Sequence, residues 1–459
     1  MQKRAKGGFP GGIHPADGSD KALTRDKPVQ VYWPETVTIL TEQTPGGKCR
    51  LLVQPGDRVQ EGELIAEPES FLAAPLHASV GGEVLKLREV ESQGRRVTGC
   101  IIRREQISPE GQAAYEREAV SLERFSRREI IEKLREGGLA GMGGAGFPTY
   151  KKYETSQPIE ALLINGAECE PFLTCDYRLM VEQGAAVVNG ARLLLAASGA
   201  SRAYLCLEDN KPGAVQALRN VLEKARGKGI LGEGEQVDIR ELPTRYPQGG
   251  ERQLIQSVLG REVPAGGLPA DVGVIVSNVG TARAAADAVL AHRPLTRRIV
   301  TVTGLVREPG NFLVPIGTSA RELIALCGGV TEEKNRVIAG GPMTGACAAV
   351  RWDGEEELFP VTKGTSGILV LREHSWEEQP CIRCGGCARV CPAGLVPYQI
   401  EFAYQKGDAD LCEQLYASEC IACGCCSYIC PARRELTWRT RQARDLVKER
   451  RRERAVKQG

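Results

Sequence analysis

The chain has 459 residues, a formal net charge of only +2 and an aromatic content of 5%. The small net charge removes the global field that would draw a polyanion, and the shortage of aromatics removes the platforms on which bases stack, so nucleic acid is not an expected partner. Nowhere do about 18 apolar residues run together, the length a membrane-spanning helix needs. The opening stretch "MQKRAKGGFPGGIHPADG" is basic but lacks the apolar segment of an export signal. Until residue 381 the cysteines are scattered without any framework spacing, which argues for a reducing compartment rather than a disulfide scaffold. Together these absences predict a cytoplasmic protein that neither crosses a membrane nor is exported.

What is present is concentrated near the end. "CIRCGGCARVCP" (381–392) reads C-x2-C-x2-C-x3-C-P, and "CIACGCCSYICP" (420–431) repeats it. In bacterial ferredoxins three cysteines of such a loop hold one 4Fe-4S cube, and the fourth, before proline, serves the other cube. The spacing therefore assigns Cys381, Cys384, Cys387 and Cys430 to one cluster and Cys420, Cys423, Cys426 and Cys391 to a second. Cys425 falls outside the spacing and is not assigned as a ligand. Zinc is the alternative, but structural zinc sites pair two C-x2-C units and need no third closely spaced cysteine. The intervening "AGLVPYQIEFAYQKGDADLCEQLYASE" has apolar residues at helical intervals, which suggests a helical type of ferredoxin domain over 376–435.

Upstream, residues 1–30 read as an irregular arm. From 31 to 105 short β-like runs ("VTILT", "CRLLV", "GELIAE", "GGEVLKL") alternate with turn signals. That region resembles the barrel-sandwich hybrid of lipoyl and biotinyl carriers, although its "EPESFLAAPL" lacks their lysine, which makes it a structural module. His77 is read as a packing residue. After the amphipathic helix "SRREIIEKLREGGLA", the β-rich runs "EALLING", "SRAYLCLE", "GEQVDIREL" and "DVGVIVSN" alternate with helical stretches, predicting an α/β domain with a largely parallel sheet over 125–292. Residues 296–372 resemble a small β-grasp unit. The last stretch, 436–459, is a basic segment expected to form a solvated helical tail, with lipid headgroups or a protein partner as the alternative.

"GMGGAG" (141–146) matches G-x-G-x-x-G, but a helix precedes it and "FPTYKKY" follows, so the dinucleotide fingerprint is not met. It is either a loop whose backbone approaches a phosphate or a plain turn. "NGAECEP" places Asn165, Glu168 and Glu170 where a parallel strand ends, and "YPQGGERQLI" and "VSNVGTA" supply two further polar, glycine-rich strand-end loops. In an open α/β sheet such loops form the ligand edge.

"GGAGFPTYKK", "NGAECEP", "YPQGGERQLI", "GREVPAGGLPADVGVIVSNVGTA" and "GGPMTGA", followed by the two quartets, resemble the RnfC components of Rnf complexes over nearly the whole chain. The α/β core is also similar to the flavin subunit of respiratory complex I. The resemblance implies FMN contacts at Gly141, Gly143, Lys152, Asn165, Glu168, Asn278 and Thr281, with Gly250 and Glu251 lining the same pocket and Glu170 facing NAD(H). It places Glu168 and Glu170 at the hydride-transfer site, as hydrogen-bond acceptors rather than proton shuttles. Two departures stand out: complex I flavin subunits carry arginine where Met142 stands and an acid where Ala167 stands.

The resemblance further implies an SLBB-like β-grasp unit and a peripheral subunit on the cytoplasmic side of the cell membrane. Its partners would be the membrane subunits of a ferredoxin:NAD+ oxidoreductase that moves ions, with ferredoxin reached indirectly through the complex. The competing readings are a soluble flavin and iron-sulfur reductase of the cobalamin-reductase kind, and a relay that has lost its nucleotide site.

Overall fold

The computed structural model describes residues 8–19, 21–44, 46–92, 95–106, 113–144, 146–232, 234–348, 358–374 and 377–458. At its centre lies a four-stranded sheet of β1 (Ala161–Gly166), β2 (Arg202–Glu208), β3 (Gln236–Leu242) and β4 (Val274–Asn278). The order is β3-β2-β1-β4 and every pair is parallel. β1, β2 and β4 are almost continuously buried, as strands covered on both faces must be, whereas the edge strand β3 alternates buried and partly exposed positions. The strand order reverses between β1 and β4. At their carboxyl ends Asn165 and Asn278 are register partners, which puts both at the topological switch point where open α/β sheets bind ligands.

Five helices flank this sheet: α1 (Cys175–Glu182), α2 (Gly184–Ser198), α3 (Pro212–Gly227), α4 (Glu251–Leu259) and α5 (Val279–Leu290). α2 and α5 touch backbone to backbone, because a Cβ on Gly190 would lie 1.7 Å from the carbonyl oxygen of Ala282. The helix expected from "SRREIIEKLREGGLA" spans Arg127–Glu136, and Ser126 and Glu129 close its start as a reciprocal capping box. It ends at Gly137 and at Gly138, whose φ of +61° suits a residue without a Cβ.

The N-terminal strands, from Thr36–Leu40 to the long hairpin Gly81–Ser92 and Arg95–Gln106, form a four-stranded and a three-stranded sheet around one apolar core. The strands Arg297–Gly304, Gly310–Pro315, Asn335–Ala339 and Gly367–Arg372 build a mixed sheet carrying the helix Ala320–Leu326.

The arm is tied to the rest of the chain, and the basic C-terminal segment differs from the sequence expectation. The arm is described over residues 8–19 and 21–30. Gly12 N–H donates to Val390 O (2.8 Å), Ile13 bridges to Tyr246, and Val29–Val31 joins the mixed sheet in parallel beside Gly310–Pro315. Its polar backbone is satisfied by three other units, so it straps them together. The basic segment forms α6 (Leu436–Gln458). Its first half is not a tail: Leu436, Thr440, Ala443 and Val447 are buried against the ferredoxin-like segment. Farther along, Arg450, Arg451 and Arg454 pair with Asp410 and Glu413, so much of the basic character is neutralised internally.

Candidate functional site

The crevice at the switch point is built from four loops. Asn278 caps α5, its Oδ1 accepting from Gly280 N–H (2.7 Å), and its Nδ2 donates to Asp176 Oδ2 (2.7 Å). The glycine loop lies over this helix start: Met142 N–H donates to Thr281 Oγ1 (3.0 Å), and a Cβ on Gly143 would fall 2.7 Å from Asn278 Nδ2. A glycine loop packed over the N-terminus of a 12-residue helix is an anion cradle in chemical terms. The Met142 side chain is turned into the core, so where complex I flavin subunits offer a guanidinium this chain offers only backbone and a hydroxyl.

Asn165 Nδ2 donates to Gly249 O (2.9 Å), and its Oδ1 accepts from Ala167 N–H (3.1 Å). Lys152 Nζ reaches both Glu251 Oε1 (3.1 Å) and Val276 O (3.0 Å). Gly250 is the N-cap residue of α4. Gly141, Gly143, Lys152, Asn165, Gly250, Glu251, Asn278 and Thr281 are thus brought to one crevice. Lys152 and Glu251 remain partly open to solvent.

The two remaining carboxylates are already engaged by the protein. Glu168, at a left-handed φ of +44°, accepts from the N–H groups of Asp176 (2.7 Å) and Tyr177 (3.2 Å) at the start of α1, and pairs with the buried Lys21 at 3.6 Å. Glu170 accepts from Met343 N–H (3.2 Å) and from the Thr344 hydroxyl, which ties the β1 loop to "GGPMTGA". Burial pushes the Glu170 carboxyl up, against hydrogen bonds from Thr344 and Met343 that pull it down.

Asp176 is a site residue that the sequence reading missed. It lies with Glu168 and Cys175 in a group whose donor atoms are all within 4.8 Å of one another. Burial, then the neighbouring Glu168, push its pKa up to about 6. Its only sequence signal was its place directly after the β1 loop. Phe71 was missed as well: it sits in "EPESFLAAPL", 6.0 Å from the Phe147 ring at the edge of the glycine loop, with Lys151 Nζ 3.5 Å above its ring.

The quartets line two separate small cavities. One is lined by Cys381, Cys384, Cys387 and Cys430, the other by Cys391, Cys420, Cys423 and Cys426, so the chain brings each fourth cysteine across to the opposite loop. Among the described residues, no three of these sulfurs lie within 4.8 Å of one another. Cys425 also lines the second cavity, and it packs in an apolar cluster with Ile13 and Tyr246.

That apolar cluster joins crevice and quartets. Cys169, beside Glu170, accepts from Gly249 N–H (3.3 Å), and burial pushes its thiol up to about 12. Tyr246, in the same loop as Gly249, Gly250 and Glu251, donates its hydroxyl to Cys423 O (2.7 Å). Arg252 of α4 pairs with Glu419 at 2.7 Å, just before the second quartet. His77 stays outside all of this: buried, its Nδ1 without a hydrogen-bond partner, and pushed down to about 3 by burial and Lys363.

A parallel sheet with its ligand loops beside two cysteine-lined cavities defines a flavin and iron-sulfur electron-transfer protein. Comparison with known proteins agrees. Residues 7–106 match the profile described as the RnfC barrel sandwich hybrid domain, 134–287 the Nuo51 FMN-binding domain, and 299–346 the SLBB domain. The RnfC component of the Na+-translocating ferredoxin:NAD+ oxidoreductase complex of Acetobacterium woodii is 38% identical over 97% of this chain and 98% of its own length. Its counterpart in the proton-translocating complex of Clostridium ljungdahlii is 38% identical over 87% of this chain and 84% of its own. A solved NAD+-reducing [NiFe]-hydrogenase in its H2-reduced state shares the fold, with a TM-score of 0.50 at 21% identity over 70% of this chain and 63% of that one. The chain belongs to the RnfC family. No helix among its described residues is long and apolar enough to cross a membrane.

Proposed function

We propose that the chain is the NAD(H)-side subunit of an ion-translocating ferredoxin:NAD+ oxidoreductase, held at the cytoplasmic face of the membrane by contacts with its partner subunits. The observation that carries the reading is the single crevice at the β1/β4 switch point, joined through Tyr246 and Cys169 to the second cysteine quartet. FMN in the crevice and 4Fe-4S clusters in the two cavities would supply the conversion between hydride transfer and single-electron transfer.

The residues divide that work. The helix start at Asn278, Gly280 and Thr281, with Gly141 and Gly143 above it, holds the phosphate end of the cofactor. Asn165 and Lys152 fix the loops around the ring system. Glu168 acts at one remove, fixing the β1 loop to the start of α1. Glu170 holds the nicotinamide nucleotide's side of the cleft and joins it to the loop at Met343. Hydride transfer leaves no proton for these carboxylates to move. The apolar cluster around Tyr246 keeps water from the path to Cys423.

The test separates the two jobs. Asn165→Ala is expected to purify with several-fold less bound flavin, released and quantified after denaturation. Glu170→Gln keeps its flavin and is reduced more slowly by NADH. Full flavin occupancy in Asn165→Ala, or unchanged reduction in Glu170→Gln, would contradict the assignment.

A further inference from the structure

The loop that follows β1 carries Glu168, Cys169 and Glu170 and runs to Thr174 at the start of α1. Two of its residues hold left-handed backbone without being glycine, Glu168 at a φ of +44° and Phe172 at +68°. Such a conformation persists only where the surroundings impose it. Here the arm does so. Phe172 N–H donates to Gly18 O (2.8 Å), and Gly18 lies so close to the Phe172 ring that a Cβ would not fit between them. The buried Lys21 Nζ donates to Leu173 O (2.6 Å) and to Glu168 O, and it reaches the Glu168 carboxylate at 3.6 Å. One ammonium therefore closes both ends of the loop that bears Glu170.

Lys21 is also a positive charge in a crowded acidic place. Its side chain is 7% exposed and that of Glu168 4%, so solvent and salt screen the pair little. Glu208, at the end of β2, is buried with its own partner Lys211 at 3.2 Å. Burial pushes the carboxyls of Glu170, Asp176 and Glu208 up, and the charge of Lys21 is among the influences that draw each back down. The ionisable groups that feel Lys21 are thus Glu168, Glu170, Asp176, Glu208, Lys211 and the thiol of Cys169.

Removing one partner of a buried ion pair leaves the other uncompensated. Without Lys21 the loop loses its clamp, and the crevice gains a bare carboxylate where an anionic dinucleotide has to sit. We propose that Lys21 is a positioning residue of the nucleotide site, inserted by the arm from outside the α/β unit to fix the Glu168–Glu170 loop and to offset its charge, so that the NAD(H) side of the crevice accepts an anionic dinucleotide. The proposal rests on the functional reading above. On that reading the phosphate end of the flavin rests on Gly143, Asn278 and Thr281, so flavin binding and nucleotide binding are separable in one variant.

The probe is NADH, mixed anaerobically with the flavin-loaded holoprotein, with bleaching followed by stopped flow to separate the apparent dissociation constant from the limiting rate. Lys21→Met is expected to keep its flavin and to raise the NADH dissociation constant roughly tenfold at about pH 8, because Glu168 is left ionised and unpaired. The defect shrinks as the pH falls toward about 6, where the carboxyls facing position 21 take up protons and no longer repel the dinucleotide. Thr24→Val is the control for the arm's structural role. It removes another buried contact of the arm, the hydroxyl that accepts from Thr174 Oγ1 (2.7 Å), and leaves NADH binding as in wild type. Should Lys21→Met be recovered without flavin, Lys21→Gln, neutral but still able to donate to the two carbonyls, takes its place with the same direction of change. An unchanged dissociation constant in the lysine variants, an equal rise in Thr24→Val, a defect indifferent to pH, or loss of flavin from both lysine variants would overturn the proposal. A wild type whose flavin NADH does not bleach would instead count against the functional reading.

Discussion

Gly143 is where the crevice has least tolerance. A methyl group there would meet the amide of Asn278 at 2.7 Å, and that amide is already fixed by Asp176. Gly143→Ala is therefore expected to lift the loop from the start of α5 and lower bound flavin several-fold, measured as flavin released per chain. Occupancy unchanged from wild type would show that the loop does not close the site. At the quartets, Cys430→Ser is expected to damage the cluster built on Cys381, Cys384 and Cys387, while Cys425→Ser leaves both clusters intact. Iron counts and reduced-state EPR decide this, and equal losses in the two variants would break the ligand assignment.

Residue spacing made the cysteines legible, because a cluster motif is local: one loop supplies three of the four ligands. Asp176 and Phe71 were not legible in that way. Asp176 matters through Asn278, about a hundred residues away, and Phe71 through Phe147 on another unit. Such pairings are set by tertiary packing, which leaves no periodic trace in the chain.

At the scale of elements, the alternation of apolar runs and helices carried enough information to predict the parallel sheet, since strands buried on both faces read as unbroken apolar segments. The arm and α6 were harder to read. The arm's structure comes from backbone bonds to three other units, and α6 is so rich in arginine that its thin buried stripe of Leu436, Thr440, Ala443 and Val447 is obscured.

The junction of the three larger units was not legible either. Lys363 of the mixed-sheet unit donates to Pro75 O of the barrel and to Gly138 O before the glycine loop, both at 2.7 Å. Burial pushes its pKa from an ordinary value near 10.5 down to about 8. Between those values the unfolded chain holds more protons than the folded one, so this residue's contribution makes stability rise with pH. From pH 7 to pH 10 the wild type is expected to gain roughly 2 kcal/mol over Lys363→Met in chemical denaturation. Parallel pH dependences for the two proteins would show that the amine is not held as described.

For the whole molecule, the order of parts along the chain matters less than how they are folded together. The arm begins near the second quartet and ends in the mixed sheet, and the β1 loop touches "GGPMTGA" through Glu170. The crevice and the second quartet therefore share walls, and the first quartet faces outward. On the proposed function, such an arrangement would connect the nucleotide site to the clusters. The most direct test is an anaerobic titration of the holoprotein with NADH, followed by absorbance and EPR. The account predicts that the flavin bleaches first and the cluster signals follow. A protein replete with flavin and both clusters that gives no absorbance change with NADH would contradict it.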